Sequence, residues 1–207
     1  MKRIEINDTS LGFPYVLYTP NVVTDNMPVI FFLHGSGERD HGEGLKVADK
    51  HGFNKIFGDK DYNFLYVVPQ IPKTTFWGAK QETIISFIKG FIKKYRCNEK
   101  RVYLTGISMG GCAVWQTAMS EPQLFAGIVP ICGIGYAWNS NVLDMPIWMF
   151  HGDKDTAISV YHSDEMATYL TKFEKNFKYT RYEGVGHNCW DLAYNEETLN
   201  WLLSLSR

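Results

Sequence analysis

The sequence predicts an α/β fold built on a mostly parallel eight-stranded sheet with helices on both faces. Three observations lead there. Short apolar runs alternate with helical patterns along nearly the whole chain. Several runs, among them Val29-Ile30-Phe31-Phe32-Leu33 and Ile147-Trp148-Met149-Phe150, are apolar without interruption, as parallel strands covered on both faces are. Four of the runs end in glycine-rich segments carrying His, Ser or Asp, which is where open α/β sheets place their ligands.

The elements follow in order. Strands are expected at residues 2–6, 15–18, 29–33, 64–68, 101–105, 127–131, 147–150 and 178–182. The first two are joined by too short a link for a crossover and should form an antiparallel edge. In residues 82–95 the apolar side chains Ile84, Ile85, Ile88, Phe91, Ile92 and Tyr95 make one helical stripe, with Lys89, Lys93 and Lys94 opposite. A helix-compatible run follows Ser108, another helix starts after Ser159 and runs to about 173, and a last one has Asn195 as N-cap. In that last helix Glu196 and Glu197 sit in the first turn, and Leu199, Leu202 and Leu203 face inward.

A length of 207 residues, 45% hydrophobic, suits one domain spanning 1–207 with a substantial core. With 21 basic and 22 acidic residues the net charge is -1, so no global field recruits nucleic acid or an anionic membrane. Cys97, Cys112, Cys132 and Cys189 form no C-x-x-C pair and read as free, mostly buried thiols. No apolar stretch reaches the roughly 20 residues of a membrane span. Met1-Lys2-Arg3-Ile4-Glu5 lacks the apolar core of a signal peptide, which points to a cytoplasmic protein unless a secretion signal has been trimmed. The six histidines show no close ligand pairing and the glycines fit no phosphate loop, so neither metal nor cofactor is expected. The partner is a small-molecule substrate, and the protein a monomer or homodimer.

The chemistry lies at the strand ends. After 101–105 comes Gly106-Ile107-Ser108-Met109-Gly110, a G-x-S-x-G turn between strand and helix that thrusts a serine hydroxyl outward. After 29–33 comes His34-Gly35-Ser36-Gly37-Glu38-Arg39-Asp40; after 147–150, His151-Gly152-Asp153-Lys154-Asp155; and after 178–182, Glu183-Gly184-Val185-Gly186-His187. Serine, then acid, then histidine is the succession that accompanies G-x-S-x-G turns.

From about Tyr15 onward the chain resembles the α/β-hydrolase superfamily, and within it the small phospholipase/carboxylesterase and dienelactone-hydrolase-like serine esterases. The resemblance rests on HGSGERD at 34–40, Pro69-Gln70, GISMGG at 106–111, HGDKD at 151–155 and GVGHNCWD at 184–191. It implies the α/β-hydrolase fold without a large cap domain, with Ser108 as nucleophile, Asp155 as acid and His187 as base. Asp153, two residues earlier, is a rival for the acid. Asp40 stands where a glycine is expected after Glu-Arg.

These roles have a physical basis. A serine hydroxyl attacks only when a base takes its proton, and His187 supplies an imidazole whose other N–H the aspartate orients. The oxyanion needs donors, expected from the backbone N–H groups of Met109 and Ser36. Trp77, Trp138, Trp190 and Glu38, with Phe76 and Tyr136, are candidate substrate contacts around an open, shallow site. His34 and His151 read as strand-end residues that bond neighbouring loops. The expected activity is a carboxylic-ester hydrolase acting through an acyl-enzyme on short-chain, aryl or sugar-linked esters. The alternative is a serine peptidase of the dipeptidyl or acylaminoacyl type, whose gating domain 207 residues leave no room for. A non-catalytic binding module is the third class.

Overall fold

In the computed structural model, which describes residues 1–207, the chain forms β1 (Lys2–Ile6), β2 (Tyr15–Thr19), β3 (Val29–Leu33), β4 (Leu65–Pro69) and α1 (Gln81–Tyr95). It continues through β5 (Val102–Ile107), α2 (Met109–Ser120), β6 (Gly127–Ile131), β7 (Ile147–Gly152) and α3 (Tyr161–Lys172). The last elements are β8 (Phe177–Tyr182), α4 (Trp190–Ala193) and α5 (Glu196–Ser204). All eight strands join one sheet in the order β1-β2-β4-β3-β5-β6-β7-β8. β2 is antiparallel to both β1 and β4, and every other pairing is parallel. This is the mostly parallel α/β-hydrolase sheet with its antiparallel edge. Lys2, Arg3 and Glu5 lie on the outermost strand, where charge discourages pairing with another chain.

The uninterrupted apolar runs have a direct explanation in the pleat, which sends successive side chains to opposite faces. Val29, Phe31 and Leu33 enter one core beneath α1, α2 and α3, with Phe87, Phe91, Trp115 and Met166. Ile30 and Phe32 enter a second core, with Phe53, Tyr66, Tyr194 and Leu199. Both faces are covered, which is why the run carries no polar residue. Edge-to-face contacts such as Phe31 on Phe91, 5.4 Å between ring centres, fill the first core.

Helix ends follow their local chemistry. Asn195 has extended backbone and its side chain accepts the Thr198 N–H, as expected of an N-cap. α1 ends where Arg96 adopts the left-handed conformation and the Cys97 N–H closes back on the Ile92 carbonyl at 3.0 Å. Two connections differ from simple alternation: the long link from β3 to β4 and the link from β6 to β7 hold only 3-10 turns. In the first, Gly42, Gly44, Gly52 and Gly58 all take positive φ, which a regular helix forbids. No helix is long and apolar enough to cross a membrane.

Candidate active site

β5 runs two residues further than the sequence suggests, to Ile107, so Ser108 follows without an intervening loop. It is held at φ 52° and ψ −119°, a region that costs a non-glycine residue about 1–3 kcal/mol. Its N–H donates to the Ile131 carbonyl at 3.0 Å, and its carbonyl accepts the Cys112 N–H at 2.9 Å. The flanking glycines are sterically required. A Cβ at Gly106 would stand 2.7 Å from the carbonyl oxygens of Leu33 and Gly110, and one at Gly110 would overlap the Leu33 carbonyl.

His187 Nε2 lies 2.8 Å from Ser108 Oγ, and its Nδ1 lies 2.6 Å from Asp155 Oδ2. A carboxylate accepts only, so Nδ1 carries the proton and Nε2 is left to accept from the serine hydroxyl. The Asp155 side chain is fully buried. Burial pushes its pKa up, but the bond from His187 and the N–H groups of Ile158 and Ala157, at 2.9 and 2.8 Å, outweigh this and hold it below the ordinary value. His151 adds a contact on the same carboxylate, its Nε2 3.1 Å from Oδ2 and 2.9 Å from the Ile158 carbonyl. Its Nδ1 is left to accept from the Ser163 hydroxyl at 2.7 Å, and burial lowers its pKa.

Asp153 is turned elsewhere. Its Oδ1 accepts the Gly184 N–H at 2.8 Å and Oδ2 lies 3.5 Å from Arg181, so it braces the loop that carries His187. That loop packs so closely on β7 that a Cβ at Gly152 would collide with the carbonyls of Val185 and Gly186. His34 is also a loop anchor. Its Nδ1–H donates to the Gly35 carbonyl at 2.7 Å and Nε2 accepts the Ile71 N–H at 3.3 Å, with burial depressing its pKa to about 4.

Ser36 and Met109 each open a helical turn, and neither N–H has an acceptor within the protein. Ser36, with Gly35, Gly37, Glu38, Ile107 and Trp190, surrounds Ser108 and His187, and Met109 directly follows Ser108 in the chain. The cavity there measures about 180 Å³, with Ser36, Glu38 and Trp190 in its wall. Trp190 stands edge-to-face on His187 with ring centres 5.3 Å apart, and also forms part of a neighbouring cleft of about 420 Å³ with Lys50, His51, Lys55 and Asp191. On the other side Met109 leads into a groove of about 360 Å³ lined by Phe76, Gln116 and Tyr136.

One expected substrate contact, Trp77, is corrected, and Trp138 stands outside the cavity around Ser108. Trp77 is fully buried: the turn leading into α1 points it inward, its indole N–H donates to the His34 carbonyl at 2.9 Å, and it packs on Phe13. It supports the loop from beneath and faces no cavity. Trp138 is 68% exposed beside Tyr136 and takes no part in the wall around Ser108. Asp40 also has its explanation, since its Oδ1 accepts the N–H groups of Gly42 and Gly44 and so caps the turn that follows. His51 carried no signal in the sequence, because a long irregular link delivers it to the site.

Cys132, Asp155 and His187 offer ligand atoms within 4.8 Å of one another, the one such cluster in the chain. Asp155 and His187 are already bonded to each other, and burial drives the Cys132 thiol strongly away from its thiolate form.

A family model described as phospholipase/carboxylesterase matches residues 75–195, more than half of the chain. The probable acetylxylan esterase A of Aspergillus clavatus is 29% identical over 150 residues, covering 69% of this chain and 48% of that protein. Feruloyl esterase B of Talaromyces funiculosus is 27% identical over 128 residues, 58% of this chain and 36% of that one. This chain thus spans half or less of the length of these relatives. A crystal structure of a thermostable esterase superposes on all of this chain and 63% of its own, with a TM-score of 0.83 and 28% identity.

Proposed function

Because the chain belongs to the phospholipase/carboxylesterase family, we propose that it is a serine carboxylic-ester hydrolase working through an acyl-enzyme. One observation carries the reading: the continuous relay from Ser108 through His187 to a buried Asp155, at 2.8 and 2.6 Å, beside two backbone N–H groups without partners.

Ser108 Oγ attacks the ester carbonyl as His187 Nε2 takes its proton, and the imidazolium so formed is stabilised by Asp155. The negative oxygen of the tetrahedral intermediate accepts from Met109 and Ser36 N–H, with the N-terminal end of α2 adding positive potential. Losing one such donor typically costs about 3 kcal/mol of transition-state stabilisation. His187 then returns the proton to the leaving alcohol. A water activated by the same imidazole releases the acid and restores the serine.

The cavity of about 180 Å³ must hold both the acyl group and the esterified end of the alcohol, which favours a short acyl chain, while the wider cleft that shares Trp190 has room for the rest of a bulky alcohol. Relatives named acetylxylan esterases support acetylated carbohydrate as the substrate class. A fluorophosphonate probe followed by peptide mass spectrometry tests the mechanism. One adduct on Ser108, lost in Ser108→Ala together with several orders of magnitude in kcat, is expected. An unlabelled Ser108, or a variant of near-normal activity, would refute it.

A further inference from the structure

Glu38 closes the turn that begins at Ser36, and it lines the cavity around Ser108. Only 7% of the side chain is exposed. Its backbone is fully engaged, the N–H with Gly35 and the carbonyl with the Gln70 amide at 2.9 Å, which fixes the turn. The carboxylate itself accepts no hydrogen bond from the protein. The nearest ring nitrogen is His51 Nε2, 3.6 Å away and out of hydrogen-bond range, and burial lowers the pKa of that imidazole. Arg39, next in the chain, is committed to the carbonyls of Ser36, Lys73 and Thr75. A carboxylate withdrawn from bulk water needs donors, and here they reach it through the catalytic cavity.

The side of the ester that meets Glu38 follows from the proton relay. His187 hands its proton to the leaving oxygen, so the alcohol lies against His187, and Trp190 stands beside that ring. Glu38 and Trp190 belong to the same wall. We propose that Glu38 accepts a hydrogen bond from a free hydroxyl on the carbon next to the esterified one, so that the enzyme selects esters of vicinal polyols such as sugars.

This selection rests on the esterase reading above and adds a specificity residue to it. A neutral donor fits better than an ammonium group. Lys50 and Lys55 outnumber Asp191 in the neighbouring cleft, so an incoming cation meets like charge there. The indole of Trp190 supplies the flat apolar surface against which the C–H face of a pyranose packs.

Methyl 2-O-acetyl-β-xylopyranoside and its 3-deoxy analogue differ by one hydroxyl and test the assignment. Wild-type kcat/KM should favour the hydroxylated ester by roughly 10- to 100-fold, the usual worth of a hydrogen bond to a charged group. In Glu38→Ala that ratio should fall to about 1. Glu38→Gln, which keeps an acceptor without the charge, should lie between. A wild-type ratio near 1, a ratio unchanged in Glu38→Ala, or a preference for the 3-amino-3-deoxy analogue would overturn the proposal. A purely structural role for Glu38 slows both esters equally and leaves the ratio in place. If Ser108 takes up the phosphonate while the ratio stays near 1, the hydroxyl contact alone fails; without the adduct, the esterase reading itself fails.

Discussion

Replacing Asp155 by asparagine changes one atom and leaves the volume of the side chain almost untouched. The structure nevertheless gives the carboxamide no acceptable orientation. Oδ1 accepts two backbone N–H groups, from Ala157 and Ile158, while Oδ2 faces the ring nitrogens of His187 and His151. Both oxygens meet donors, and an amide has only one oxygen to offer. If the oxygen stays with the backbone, the NH2 group confronts His187 Nδ1–H. The imidazole relieves the clash by moving its proton to Nε2, which then points a donor at Ser108 and accepts nothing from it. If the amide flips, the N–H groups of Ala157 and Ile158 lose their acceptor and face the NH2 group instead, donor against donor. The first arrangement is therefore preferred, and kcat should fall on the order of 10⁴-fold, about 5.5 kcal/mol in the barrier. Burst and steady-state kinetics with 4-nitrophenyl acetate measure it, with circular dichroism checking that the fold survives. Asp153→Asn is the internal control. It disturbs a loop brace and should cost less than about tenfold. A variant at 155 that keeps more than about a hundredth of wild-type kcat, or a larger loss at 153, would refute the reasoning.

Two further outcomes follow from buried groups. His34 is neutral in the folded protein down to about pH 4, whereas the unfolded chain takes up its proton near pH ~6.5. Between those values the unfolded state binds more protons, so stability is lost as the pH falls. At about 1.36 kcal/mol per pH unit His34 contributes a loss of about 3 kcal/mol by pH 4. Urea titrations at pH 7, 6, 5 and 4 should show this acid slope in the wild type and a flatter one in His34→Gln; identical slopes would count against the assignment. Gly110→Ala should lose several kcal/mol or fail to fold, because its methyl overlaps the Leu33 carbonyl. A normal melting temperature with full activity would contradict the packing described at the turn.

The inner strands were legible to within about two residues because burial on both faces leaves a short apolar run bounded by turn residues, whereas the edge strands β1 and β8 alternate polar and apolar side chains. The serine turn was legible for a related reason, since Gly106 and Gly110 are imposed by backbone crowding and not by taste in turns. Other features carried no such signal. Asp153 and Asp155 end the same motif, and only the direction of each side chain separates a loop brace from a histidine partner. Trp77 and Trp138 lie where aromatic residues close to strand ends invite a binding role, yet one turns into the core and the other into solvent. Position along the chain does not encode that choice. His51 depends on a link whose path is set by glycines with positive φ, and no periodicity describes such a path.

The backbone at Ser108 has a consequence for how such a protein ages under selection. Glycine would relax at φ 52° and ψ −119°, so the most heat-resistant residue for that place is one that does no chemistry. Pressure for durability and pressure for turnover pull in opposite directions at a single codon. The rest of the molecule, with two aromatic-rich cores, carries the tension that keeps the hydroxyl there.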